Sequence, residues 1–350
     1  MPDYSTMDEA LAFLAPYGPD LRTGLTNHAP MAVEALCALD RADAVMSWLD
    51  GYRKVLAPRP AERERIGAES WRGALGREDR TPDWTAFMET ELAERPWRDV
   101  AARWTARLAP GICASATHGV IRTGHAVRSL MAAESPARRR ELAEGLGYWA
   151  AAYQILPTGR AATPAARPAE AIARVPVVPE AQRRFFGTIT SSLEALADFP
   201  PFAPVIDMLD VTIPPGALLS ELTRTFAQVY LANAHDVLTT IVFVHGVTSL
   251  VAIRSLLPVL DDATTRDAIR YGWQSSCALY ATFGSRPTPD GDVAPASEGR
   301  DALVDMAIAH GDEHAIKLTE ACLREDALAP SPVYLAAARH AIGTLPRGGY

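Results

Sequence analysis

The residues in this chain best able to do chemistry are eight histidines and a lysine of a type the composition almost excludes. The histidines are His28, His118, His125, His235, His245, His310, His314 and His340. Of 34 basic residues only Lys54 and Lys317 are lysines; the rest are arginines. Several of the histidines stand in apolar company. His28 precedes Ala29-Pro30-Met31 at the expected start of an apolar helix. His118 and His125, in ATHGVIRTGHAVR, are two helical turns apart and so point to nearly one face. His245 lies in the most apolar segment, with Thr248 one turn later. His314 and Lys317 share a face at spacing i, i+3 in GDEHAIKL, and Asp312 after Gly311 is the expected helix N-cap. A buried imidazole without partners is costly, and one metal ion satisfies several at once; Zn, Cu, Fe and Ni all suit imidazole. The residues alone leave two readings open: a shared metal site, or histidines satisfied one by one.

Other chemistries find little support. No G-x-x-x-x-G-K-[ST], G-x-S-x-G or C-x-x-C is present. The string Gly145-Leu146-Gly147-Tyr148-Trp149-Ala150 fits G-x-G-x-x-A literally, but the charged helical pattern SPARRRELAE precedes it where a dinucleotide fingerprint needs a buried strand. Cys37, Cys113, Cys277 and Cys322 are far apart among apolar neighbours and read as buried thiols. A net charge of −8 argues against a general nucleic-acid binder, which needs a basic face.

The elements that must position these residues are helices. MDEALAFL, AVEALCALDRADAVMSWL, WRDVAARWTARLA, ELAEGLGYWAAAYQIL and SELTRTFAQVYLANAHDVLTTIVFV repeat apolar residues at spacings of three and four. The only clear strand-like run is VPVV at 175–178, bounded by prolines. The expected fold is all-α, one large multi-helix domain over residues 1–350 with Pro-rich connections at 157–180, 199–216 and 285–297. Candidate site residues fall on both sides of each connection, which favours one core built from the whole chain. At 48% hydrophobic and 22% charged residues, the chain has the composition of a folded soluble protein. LTTIVFVHGVTSLVAI is interrupted by His245, Gly246, Thr248 and Ser249 and reads as a buried helix or helix pair, not a membrane span. The acidic N-terminus has no basic n-region, so the expected location is cytoplasmic.

In this order, GLTNHAPMAVEAL, HGVIRTGHAVRSL, FVHGVTS and DEHAIKLTEA resemble the questin oxidase-like family, from about residue 20 to about residue 345. The resemblance implies ring opening of an anthraquinone-like aromatic polyketide in secondary metabolism, a Baeyer–Villiger-type outcome. It also implies non-haem iron held by four histidines and a carboxylated lysine. Carried over, the lysine is Lys317, while five histidines match: His28, His118, His125, His245 and His314. Along a straight helix the Cα atoms of His118 and His125 are about 10.5 Å apart, which stretches their reach to one ion. The expected ligands are therefore His28, His118, His245, His314 and Lys317. His125 becomes the expected acid or base, and Thr248 a hydrogen-bonding partner in the site, unless its hydroxyl only bonds the preceding turn. The expected enzyme is a mono- or dioxygenase whose partners are an aromatic small molecule and O₂, with neither nucleic acid nor membrane. NADPH enters as a reductant through the resemblance alone, since no motif for it is seen. The rivals are a metal-dependent hydrolase on the same ligands and a non-catalytic helical interaction protein.

Overall fold

A computed structural model describes residues 2–294 and 296–348. Its helices run in chain order α1 Met7–Leu14, α2 Ala29–Ala38, α3 Ala42–Tyr52, α4 Thr81–Glu94 and α5 Trp97–Leu108. Then come α6 His118–Ala132, α7 Pro136–Ala151, α8 Pro168–Ile172, α9 Ile189–Leu193 and α10 Pro215–Asn233. The last five are α11 Val237–Leu256, α12 Asp262–Phe283, α13 Arg300–His310, α14 Glu313–Leu328 and α15 Pro332–Thr344. The all-α expectation holds. The strand-like run does not: residues 175–178 form no regular structure, because prolines at 176 and 179 remove the donors a ladder needs. The two-stranded antiparallel sheet lies elsewhere, β1 Tyr17–Leu21 against β2 Leu56–Pro58.

The apolar run around His245 is one helix, α11, not a pair. Asp236 caps it, accepting the Thr239 amide while the Thr239 hydroxyl reaches back to the cap backbone. Val237–Val259 is long and apolar enough to cross a membrane, yet 72% of its most apolar stretch is buried inside the protein. A helix apolar on every side is buried on every side. Here α6, α10, α12 and α14 pack around it. Helix α6 also packs on α2 and α7, and α14 on α2, α13 and α15. The four helices that begin at or carry His28, His118, His245 and His314 thus pack in a cycle, α2 on α6, α6 on α11, α11 on α14 and α14 on α2.

Close approach of α6 to α11 depends on Gly124. A Cβ there would stand 2.7 Å from the Ala252 Cβ and carbonyl oxygen, inside any real contact distance. The G-x-G-x-x-A string falls inside α7, with Gly145 against Thr123 and Gly147 against Thr85. Those glycines serve helix packing. The Pro-rich segment 199–216 is partly ordered as a 3-10 helix, Pro200–Asp207.

Candidate metal centre

Three of the four histidines sit where a helix begins. His28 is the residue before α2, and its loop is pinned by Asn27, whose side chain donates to the Gly18 carbonyl and accepts the Ala29 amide. The Asn27 amide also donates to the Pro19 carbonyl, so the small sheet holds this loop in place. His118 opens α6 after three consecutive non-glycine residues with positive φ, Ser115, Ala116 and Thr117. Such a run is costly. It turns the Ser115 carbonyl onto His118, where Nδ1 donates to it. The Tyr148 hydroxyl joins the two loops, 2.7 Å from Ser115 Oγ and 2.8 Å from Thr26 Oγ1. His314 lies in the first turn of α14, capped by Asp312, which accepts the His314 and Ala315 amides. Gly311, at φ 82°, ends α13 just before it, as the Gly-Asp pair predicts. Only His245 comes from mid-helix, 1% exposed, its Nδ1 donating to Ile241 O at 2.7 Å.

The four imidazoles form a closed ring. Centroids are 4.6 Å apart for His28–His118, His28–His314 and His118–His245, and 5.7 Å for His245–His314. His118 and His245 both spend Nδ1–H on a backbone carbonyl, so each offers a bare Nε2, and these nitrogens face each other at 3.0 Å. Two neutral acceptors at that distance repel unless a cation lies between them. Nitrogens bound at about 2.1 Å to one ion at right angles stand about 3.0 Å apart. Across the ring, His28 Nδ1 and His314 Nδ1 are buried without a hydrogen-bond partner. Ligand atoms of His28, Glu313 and His314 all lie within 4.8 Å of one another. Orphaned nitrogens and facing lone pairs are what a metal ion satisfies, so the residues fit one.

The electrostatics favour neutral donors. Burial drives His28 and His245 well below the usual histidine range; burial and the Lys317 charge bring His118 down to about 3, its bond to Ser115 opposing. Lys317 is 2% exposed and burial lowers it to about 8, with Glu313 and Asp312 pulling it back up. The starts of α2, α6 and α14 converge here, and positive helix N-termini disfavour imidazolium and ammonium alike. Among the described residues Lys317 Nζ makes no hydrogen bond or ion pair within 4.0 Å.

Other histidines are placed differently. His125, two turns along α6 from His118, is not in the ring. Its Nδ1 faces Glu34 Oε2 at 2.5 Å, and Glu34 is also held by Arg128 and the Tyr4 hydroxyl. Burial would raise the Glu34 carboxyl, but Arg128 and His125 outweigh it and hold it well below the usual range. Thr248 lines a cleft with His125 and Lys317, and its hydroxyl donates to the Val244 carbonyl at 3.0 Å. His310 faces the Leu345 carbonyl, His340 the Tyr230 hydroxyl, and His235 is exposed.

Sequence reasoning passed over two carboxylates. Glu313 Oε1 is 3.5 Å from His28 Nδ1 and 3.9 Å from His314 Nδ1. It stood in plain view in GDEHAIKL, but an acid in a helix's first turn is ordinarily explained by the helix dipole. Glu34, on α2, carries no signal beyond being an acid inside an apolar helix.

No curated protein matches this chain. A family model does, the questin oxidase-like one, over residues 25–322. That span takes in His28, His118, His245, His314 and Lys317, the ring and its lysine together; the chain belongs to the questin oxidase-like family.

Proposed function

We propose that this protein is a non-haem iron oxygenase that opens a ring of an anthraquinone-like aromatic polyketide by oxidative C–C cleavage. Family membership supplies the coarser activity, an oxidoreductase of the oxidase or oxygenase kind. The observation that carries the finer reading is the pair of bare Nε2 atoms of His118 and His245 within a closed ring of four buried imidazoles. His28, His118, His245 and His314 would hold the iron through neutral nitrogens, and Lys317, carboxylated on Nζ, through an oxygen. Iron bound there supplies activation of dioxygen, which no side chain of this set can do.

The remaining work falls to the chain's own groups. Glu34 accepts a hydrogen bond from His125 Nδ1–H and so fixes the tautomer, leaving Nε2 free to take a phenolic proton from substrate and return it after cleavage. Arg128 holds Glu34 with two nitrogens, which keeps that carboxylate ionised and the imidazole oriented. Thr248, whose proton is committed to Val244, offers the cleft an acceptor oxygen. NADPH is the external reductant in this reading if one oxygen atom is inserted and the other leaves as water.

Protein purified from iron-replete cells is expected to hold about one iron per chain and to consume O₂ when given a hydroxylated anthraquinone. Full zinc occupancy with no iron-dependent O₂ uptake overturns the reading in favour of a hydrolase.

A further inference from the structure

Glu313 is the first residue of α14, and an acid in that position favours the helix N-terminus without being buried. Here it is only 6% exposed, turned inward beside His28 and His314. Its Oε1 stands 3.5 Å from His28 Nδ1 and 3.9 Å from His314 Nδ1, and neither nitrogen has a hydrogen-bond partner. These spacings are long for hydrogen bonds. They suit atoms that share an ion: donors at about 2.1 Å from one metal stand about 3.0 Å apart at right angles and about 4.2 Å apart when opposed. The neighbouring Asp312 is a poorer candidate. Its Oδ1 is 3.6 Å from His314 Nδ1, but that same oxygen accepts the His314 and Ala315 amides. Charge points the same way. Four neutral imidazoles leave a divalent ion uncompensated in a buried site, where unpaired charge is costly.

Resting on the four-histidine metal reading above, we propose that Glu313 is a direct ligand of the same ion, binding it through a carboxylate oxygen beside the His28 and His314 nitrogens. An anionic donor is then written into the chain itself and does not depend on any modification of Lys317. Glu313 and His314 leave the same first turn of α14, so the single cap at Asp312 sets the starting point of both arms. Imidazoles combined with a carboxylate are a donor set that non-haem iron(II) accepts. The dipole explanation of a first-turn acid accounts for the residue type at 313. It does not account for a buried carboxylate placed between two nitrogens that it does not hydrogen-bond.

The test uses full-length metal-free protein titrated with cobalt(II), whose visible absorption reports its ligands, with bicarbonate supplied throughout so that Lys317 is treated alike in every sample. Glu313→Gln keeps the side chain's size and removes its charge. It is expected to weaken cobalt binding by more than about a hundredfold, the upper end of what losing an outer hydrogen-bond partner of a ligand costs, and to change the visible band. Glu313→Asp restores the charge on a shorter arm and is expected to recover part of the affinity; circular dichroism checks the folding of both. A crystal structure of cobalt-loaded wild type, which needs no variant, is expected to show a Glu313 oxygen about 2.0–2.2 Å from the ion. An ion held by the four histidines with both Glu313 oxygens out of bonding range overturns the Glu313 ligand and leaves the four-histidine site standing. A folded Glu313→Gln protein with wild-type affinity and band does the same. Wild-type protein that binds no cobalt at the ring overturns the four-histidine reading and the Glu313 ligand with it.

Discussion

His118 Nε2 and His245 Nε2 face each other at 3.0 Å, and each ring already donates its Nδ1–H to a backbone carbonyl. Neither nitrogen can donate to the other, so the pair is built to be satisfied from outside. His118→Ala and His245→Ala are each expected to remove most of the iron while leaving the helical content intact, because the cores of α6 and α11 do not depend on these rings. Elemental analysis with circular dichroism decides it; full metal occupancy in both variants contradicts the ligand assignment.

His125 stands outside the ring, tied to Glu34. His125→Ala is expected to keep wild-type iron content and to lower kcat by about a hundredfold or more, the usual contribution of a positioned acid or base. Loss of iron from this variant would place His125 among the ligands.

Lys317→Ala is expected to lose iron and activity together. Lys317→Glu puts a carboxylate on a shorter arm and is expected to retain part of the metal with little turnover. Iron titrations of the two variants should therefore separate; identical, wild-type-like affinities would show that Lys317 does not bind the metal.

Glu34 sets an acid limit on stability. Its carboxyl is held below the ordinary glutamate value of about 4.3 by Arg128 and His125 against the opposing effect of burial. A group depressed in the folded state binds its proton first in the unfolded chain, so its stabilisation is complete above that value and drains away as pH falls toward the folded one. Urea midpoints of the wild type should drop steeply below about pH 4.3. Glu34→Gln should be less stable at pH 7 by about 3 kcal/mol, since it leaves Arg128 partly unpaired, and its midpoint should fall less steeply in acid. Parallel acid limbs for the two proteins would remove Glu34 from this role.

Gly124 fixes the spacing between the His118 and His245 helices. Gly124→Ala inserts a methyl where 2.7 Å is available, and overpacking of this kind costs about 1–3 kcal/mol. A lower Tm with a weakened iron affinity is expected. Unchanged values for both would mean that α6 and α11 can part without disturbing the ring.

Much of this protein is determined along the chain itself. Apolar residues at spacings of three and four dictate the helices. Asp312 after Gly311 dictates where α14 begins, because a glycine tolerates the left-handed turn and an aspartate caps the next amides. The pairing of His314 with Lys317 follows from helical geometry, and the rarity of lysine singles Lys317 out. The helical phase also brings His118 and His125 onto a common face, but phase says nothing of what each height along the axis meets. Only packing decides that. At the first turn His118 meets His28 and His245; two turns on, His125 meets Glu34, a residue 91 positions away in sequence. Glu313 is a first-turn acid by sequence and a member of the histidine cluster by tertiary contact, because α2 happens to start against α14. The left-handed run Ser115–Thr117 is likewise invisible in residue types, since none is glycine; it persists because the Tyr148 hydroxyl and the Ser115 carbonyl hold it from both sides. Local preferences are written residue by residue, whereas which four imidazoles close a ring is settled by distances between helices that only a packed core fixes.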